Sequence, residues 1–169
     1  MSKGLRHDFL VVRLEDYDYS DYVQMLHNEN EISLPDNIVR YINDFIRWVP
    51  TYDSGNNMKP MKGLNYHGTT VIKSEGAIIM KQVFTALLNL FGLGPPIYVI
   101  TGEYGWIDSV ESPDKGLYSK IVVKRDELVN KLQDIVTICD VVLAGHDNYF
   151  IHHAGLFAWK SFTSLDDPS

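Results

Sequence analysis

Six histidines, a single cysteine and a run of alternating acids and tyrosines are the side chains from which this chain could build chemistry. His146-Asp147 stands shortly before His152-His153, and imidazoles with a carboxylate at close range are zinc ligands. On a strand, however, adjacent residues point to opposite faces, so His152 and His153 do not join one site. The cluster is assigned no metal. Gly92-Leu-Gly-Pro95 has the look of a phosphate loop, but it closes a predicted helix. Its amides are therefore not set on a helix N-terminus to receive an anion. Cys139 lies among Ile135, Val136, Ile138 and Val141, the setting of an inert buried thiol. No paired-carboxylate, nucleophile-elbow or P-loop signature is present, so no catalytic residue and no cofactor is assigned.

Tyr66-His67-Gly68-Thr69 is a further candidate. A His-Gly-Thr on a strand resembles the nicotinamide-pocket strand of ADP-ribosyltransferases, in which the histidine holds the ribose. The resemblance implies such a role for His67, with Tyr98 as the second-strand tyrosine. It also implies a catalytic glutamate on a late strand. Glu127 falls instead in a predicted helix, and no glutamate follows it.

The acid–tyrosine run offers recognition rather than catalysis. Glu15-Asp-Tyr-Asp-Tyr-Ser-Asp-Tyr22 reads as a solvated loop or short helix, or as a contact surface. Between Asp8 and Glu31 seven acids stand against the single base Arg13, a balance of −6 within a chain whose net charge is −7. A field of that sign repels phosphate backbones and attracts basic surfaces. Tyrosine adds large contact area at low entropic cost, while charged neighbours set register and association rate. Asp16, Tyr17, Asp18, Tyr19, Asp21 and Tyr22 are accordingly the candidate partner-binding residues, and direct nucleic-acid binding is not expected.

These residues need a scaffold. Phe9–Leu14 reads as an opening strand. Asp36 is placed to start a helix whose stripe is Ile38, Tyr41, Ile42, Phe45, Ile46 and Val49, ending at Pro50. Residues 51–62, rich in turn formers, read as an exposed loop. Then comes the central unit: a strand over 63–72, a helix from Ser74 with Ile78, Ile79, Val83, Phe84, Leu87, Leu88 and Phe91 at helical spacing, and a strand over Ile97–Ile100. That strand continues or bends past Gly102 and Gly105, where a bulge is expected. A turn region over 108–115 leads to a strand over Leu117–Val123, with Tyr118 and Ile121 on opposite faces. The third helix carries Leu128, Val129, Leu132, Ile135, Val136 and Cys139. A hairpin of 141–144 with 149–151 around Gly145-His-Asp-Asn148 closes the pattern. Phe84, Leu87, Leu88, Ile42, Phe45, Leu132 and Val99 are expected to be buried.

Length and element order together predict one α+β domain over 1–169, with frayed ends near 1–7 and 161–169. Its sheet is mainly antiparallel, with about three helices packed on it. No apolar run is long enough to span a membrane. The unpaired cysteine and the absence of a secretory pattern at the start favour the cytoplasm.

An acidic α+β chain without catalytic signatures, carrying such an acid–tyrosine segment, resembles a bacterial immunity protein. The layout also resembles immunity proteins of contact-dependent growth inhibition systems. The shared pattern is a Leu-Asn-Tyr-His-Gly-Thr-Thr-Val-Ile strand, an apolar helix ending in Leu-Phe-Gly, then an Ile-Tyr-Val-Ile-Thr-Gly strand. The resemblance implies a cognate toxin domain as partner, basic and often a nuclease, with neither cofactor nor catalysis. The competing expectations are an enzyme working through its histidines and an adaptor in a larger complex.

Overall fold

The computed structural model describes residues 5–17, 31–109 and 112–156. Their architecture is the expected α+β one. Strands β1 (Arg6–Arg13), β2 (Ile32–Pro35), β3 (Pro50–Asp53), β4 (Lys59–Lys62), β5 (Thr69–Ile72) and β8 (Tyr149–Ala154) form a sheet in the order β2-β1-β8-β5-β3-β4, every pair antiparallel. Among the described residues, strands β6 (Ile97–Ser109) and β7 (Ser112–Lys124) pair only with each other, as a separate two-stranded ribbon. Helices α1 (Asp36–Ile46), α2 (Ser74–Gly92) and α3 (Arg125–Ala144) pack on the large sheet and on one another.

Two faces of the sheet are sorted by residue parity. Phe9, Ile72 and Ile151 point toward the helices and join the main core with Ile42, Phe84, Leu87 and Leu132. Leu10, Val12, Val71 and Phe150 point the other way, into a smaller cluster closed over by Tyr17, Tyr52 and Met58. The helix α2 buries Ala77, Met80, Val83, Phe84, Leu87 and Phe91, a stripe at spacings of three and four. Its first turn runs so close to β3 that a side chain on Gly76 would strike the Pro50 carbonyl.

Several expectations are corrected. Residues 51–62 form the β3–β4 hairpin, not a loop: Thr51 is buried and donates its hydroxyl to the Gly63 carbonyl at 2.6 Å. Lysines and Pro60 made β4 look unstructured because it is an edge strand, where such residues deter further pairing. Gly63 turns the chain after it with φ +78°, and β5 starts only at Thr69. The segment 141–144 is the last turn of α3, not a strand, since Val142 continues the buried stripe of Leu128, Leu132, Ile135 and Cys139. Packing outweighs the β-preference of its valines there. The ribbon pairs as far as Ser109↔Ser112, leaving a shorter turn than expected, and its register shifts between Thr101 and Tyr104 as the glycines suggested. Strand β2 carried no signal in the sequence. Arg6 and His7 belong to β1 rather than to a frayed end.

Three of the expected core residues lie elsewhere. Leu88 is half-buried, and Phe45 is 40% exposed at the rim of α1 in edge-to-face contact with Trp48. The buried side of α1 holds Ile38, Val39, Ile42 and Ile46, so at about 100° per residue the stripe turns away from Phe45. Val99 is 56% exposed because Tyr98 and Ile100 take the inward parity of β6.

Candidate functional site

A buried chain of polar side chains joins β1, β8, β5 and the start of α1. His7 Nε2 lies 3.2 Å from Asp36 Oδ1, and His7 Nδ1 lies 2.9 Å from His153 Nε2. His153 Nδ1 then meets Thr70 Oγ1 at 3.3 Å, and that oxygen accepts the Asn65 amide at 2.8 Å. Tyr66 donates its hydroxyl to the same Asp36 oxygen. A neutral imidazole has one N–H and one acceptor nitrogen, which fixes both tautomers. His7 gives its Nε2–H to the carboxylate, so its Nδ1 accepts from His153 Nε2–H. His153 Nδ1 in turn accepts from the Thr70 hydroxyl. Each donor is used once.

Burial disfavours the charged form of both rings. Burial lowers the pKa of His7 against the opposing hydrogen bond and charge of Asp36. Burial, and then the neighbouring His7 and His152, drive His153 well below the usual imidazole range. Burial, with the hydrogen bond to Asp36, pushes the Tyr66 phenol up to about 12. His7, His153 and Thr70 are fully buried, so no substrate reaches the imidazole pair or the threonine hydroxyl. These residues pin β1 to the rest of the sheet.

The other described histidines are dispersed. His67 is exposed in the turn before β5, edge-on to Tyr66. Tyr98 lies at the root of the ribbon, on the other sheet, with its hydroxyl 3.4 Å from the Phe91 carbonyl. His146 and Asp147 occupy the α3–β8 turn with positive φ, and Asp147 accepts the Ser74 hydroxyl at 2.5 Å. His152 faces the smaller cluster near Tyr17, opposite to His153, and burial brings its pKa down to about 4. Among the described residues no group of three or more His, Cys, Asp or Glu is placed to hold a metal ion. Cys139 is buried, and burial pushes its thiol up to about 12.

Of the candidate partner-binding residues, Asp16 is exposed and accepts the Arg13 guanidinium at 2.9 Å. Tyr17 is half-buried, edge-to-face on Phe150. Asp18, Tyr19, Asp21 and Tyr22 lie outside the described residues.

The surface that sequence reasoning missed is the outer face of the ribbon. The pairs Ile97↔Lys124, Val99↔Val122, Thr101↔Lys120 and Tyr104↔Tyr118 share one face, since directly opposed residues project to the same side of a sheet. Ile97 is 64% exposed, Val122 69% and Tyr118 61%. Tyr104 and Tyr118 meet edge-to-face with ring centroids 5.1 Å apart. The inner face holds Ile100, Ile121 and Val123 in the core. The signal available in the sequence was the apolar run on both parities of Ile97–Ile100 and Ile121–Val123, a pattern of strands with two apolar faces.

No family model, curated protein or solved structure matches this chain. Among the described residues no helix is long and apolar enough to cross a membrane.

Proposed function

We propose that this protein is an inhibitor of the immunity type, acting in the cytoplasm, which binds a basic toxin domain of the nuclease class and covers its active site or substrate surface. The observation that carries the reading is the ribbon's uncovered outer face. It gathers Ile97, Val99, Val122, Tyr104 and Tyr118 on a two-stranded sheet that no other described element covers on that side. A contiguous exposed apolar and aromatic patch is the ordinary mark of a protein-binding surface. The acidic balance of Asp8–Glu31 supports a basic partner, whose approach it would accelerate. The buried histidine chain supports binding over catalysis, because its imidazoles serve packing rather than an open cleft.

The test is co-expression with a toxin domain, should the gene directly upstream encode one. Growth should be restored, and the two proteins should copurify as a defined complex. A Val99→Asp, Val122→Asp double variant should fold normally and lose protection. Full protection by that variant would remove the ribbon from the interface, and no protection by the unmodified protein would end the reading.

A further inference from the structure

The buried hydrogen-bond chain has two unlike ends. At one, the Asp36 carboxylate only accepts, from His7 Nε2 at 3.2 Å and from the Tyr66 hydroxyl. At the other, Thr70 Oγ1 meets His153 Nδ1 at 3.3 Å, and a hydroxyl either donates or accepts. Between them the rings of His7 and His153 stack, with centroids 5.2 Å apart and planes 10° from parallel. Their 2.9 Å contact joins Nδ1 of one to Nε2 of the other. One further proton fits this chain. His153 Nε2 passes its hydrogen along the existing bond to His7 Nδ1, and His153 Nδ1 takes up the added proton. His7 is then an imidazolium against Asp36, and His153 is neutral in the opposite tautomer. Thr70 turns from donor to acceptor, beside the Asn65 amide it already accepts at 2.8 Å. A second proton does not fit. It puts a hydrogen on both facing nitrogens and a positive charge on each of two stacked rings.

The surrounding charges direct the first proton to His7. On β1, Asp8 lies 3.4 Å from Arg6, which also faces Glu31 at 3.7 Å. On α1, Asp36 lies 4.0 Å from Arg40, which is held more closely by Glu103 of β6. Among these described groups four carboxylates stand against two guanidiniums. Burial opposes a charge on His7, but the hydrogen bond and charge of Asp36 and the charge of Asp8 work against it, with His67 a smaller opposing neighbour. At His153 the nearby His7 and His152 add to the effect of burial. The side chain of Asp36 is 11% exposed, so the chain meets solvent at the end that carries the counter-charge.

We propose that His7 and His153 form a one-proton acid sensor. The pair takes up a single proton with the sheet intact, by reversing the hydrogen-bond chain between Asp36 and Thr70, and a second proton parts β1 from β8. The test is a titration of the full chain, labelled with nitrogen-15, from about pH 7.5 to about pH 4.5, across the ordinary imidazole range. Long-range proton–nitrogen spectra report the protonation of each ring nitrogen. At neutral pH both rings should carry hydrogen on Nε2. On acidification His7 should become an imidazolium while His153 moves its hydrogen to Nδ1, both at one midpoint and with the amide spectrum still that of the folded protein. Asp36→Asn should lower that midpoint by at least about one pH unit, because the counter-charge is gone. At the acid end of the titration, β1 amides should exchange with solvent faster while α2 amides stay protected. Three results overturn the proposal in the unmodified protein: both rings charging together, His7 charging while His153 keeps its tautomer, or neither changing before the amide spectrum collapses. So does a folded Asp36→Asn variant with the same midpoint, or a β1 that stays protected until the whole chain unfolds.

Discussion

At the scale of single residues, the protonation of His7, His152 and His153 ties stability to pH. Each has its pKa lowered in the folded protein, with burial as the first cause. The unfolded chain therefore takes up these protons first, near the ordinary value of about 6.5. Stability from these groups is complete above that value. It is lost as pH falls from about 6.5 toward the folded values, at about 1.4 kcal/mol per pH unit for each histidine that stays neutral in the fold. Urea unfolding at pH 7 and pH 5 should show this loss, and it should shrink in a His152→Phe variant. An unfolding free energy flat across that interval would contradict the neutral assignment. Asp36→Asn should cost about 1–3 kcal/mol, because His7 and Tyr66 lose a charged acceptor. The same change should let Tyr66 ionise at lower pH in a spectrophotometric titration. None of this chain was legible in the sequence, since His7 and His153 stand 146 residues apart and local spacing carries no trace of such a pair. What the sequence did show was that His152 and His153 face opposite ways, and parity alone was enough for that.

Single elements were legible where period and burial agree. The stripe of α2 was readable from Val83, Phe84, Leu87 and Phe91, all buried as expected. The end of α3 was not, because its Val141-Val142-Leu143 run suits strand and helix alike. Parity fails in the same way on β6, where Ile97, Tyr98, Val99 and Ile100 are all apolar and nothing local says which pair faces inward. These two cases give a paired expectation. Leu87→Ala should destabilise by about 2–5 kcal/mol through lost burial and a residual cavity. Val99→Ala, on the outer face of the ribbon, should change stability by less than about 0.5 kcal/mol. Denaturant unfolding of both variants decides it: a large loss for Val99→Ala would mean that the ribbon face is covered in the isolated protein. It would then be unavailable to a partner.

For the whole molecule, the arrangement of charge and apolar surface divides the work of binding. The stretch Asp8–Glu31 that contains the acid–tyrosine segment contributes most of the net charge, −6 of −7, and among its candidates Asp16 is exposed while Tyr17 packs on Phe150. The ribbon contributes apolar area with little charge. Long-range attraction acts before contact, so acids change the rate of association and make it depend on salt. Desolvated apolar anchors act after contact and govern dissociation. The division is testable by stopped-flow and dissociation measurements against the toxin domain. A triple Asp16→Asn, Asp18→Asn, Asp21→Asn variant should associate more slowly, by about tenfold at low ionic strength, with its dissociation rate nearly unchanged. Raising the salt should bring its association rate close to that of the unmodified protein, because near 0.1 M the screening length falls to about 10 Å. Val99→Ala with Val122→Ala should do the reverse, associating normally and dissociating faster. If the triple variant keeps the unmodified association rate and salt dependence, the acidic segment is a solvated edge that plays no part in capture. The ribbon would then carry recognition alone, and the partner would have no need to be basic.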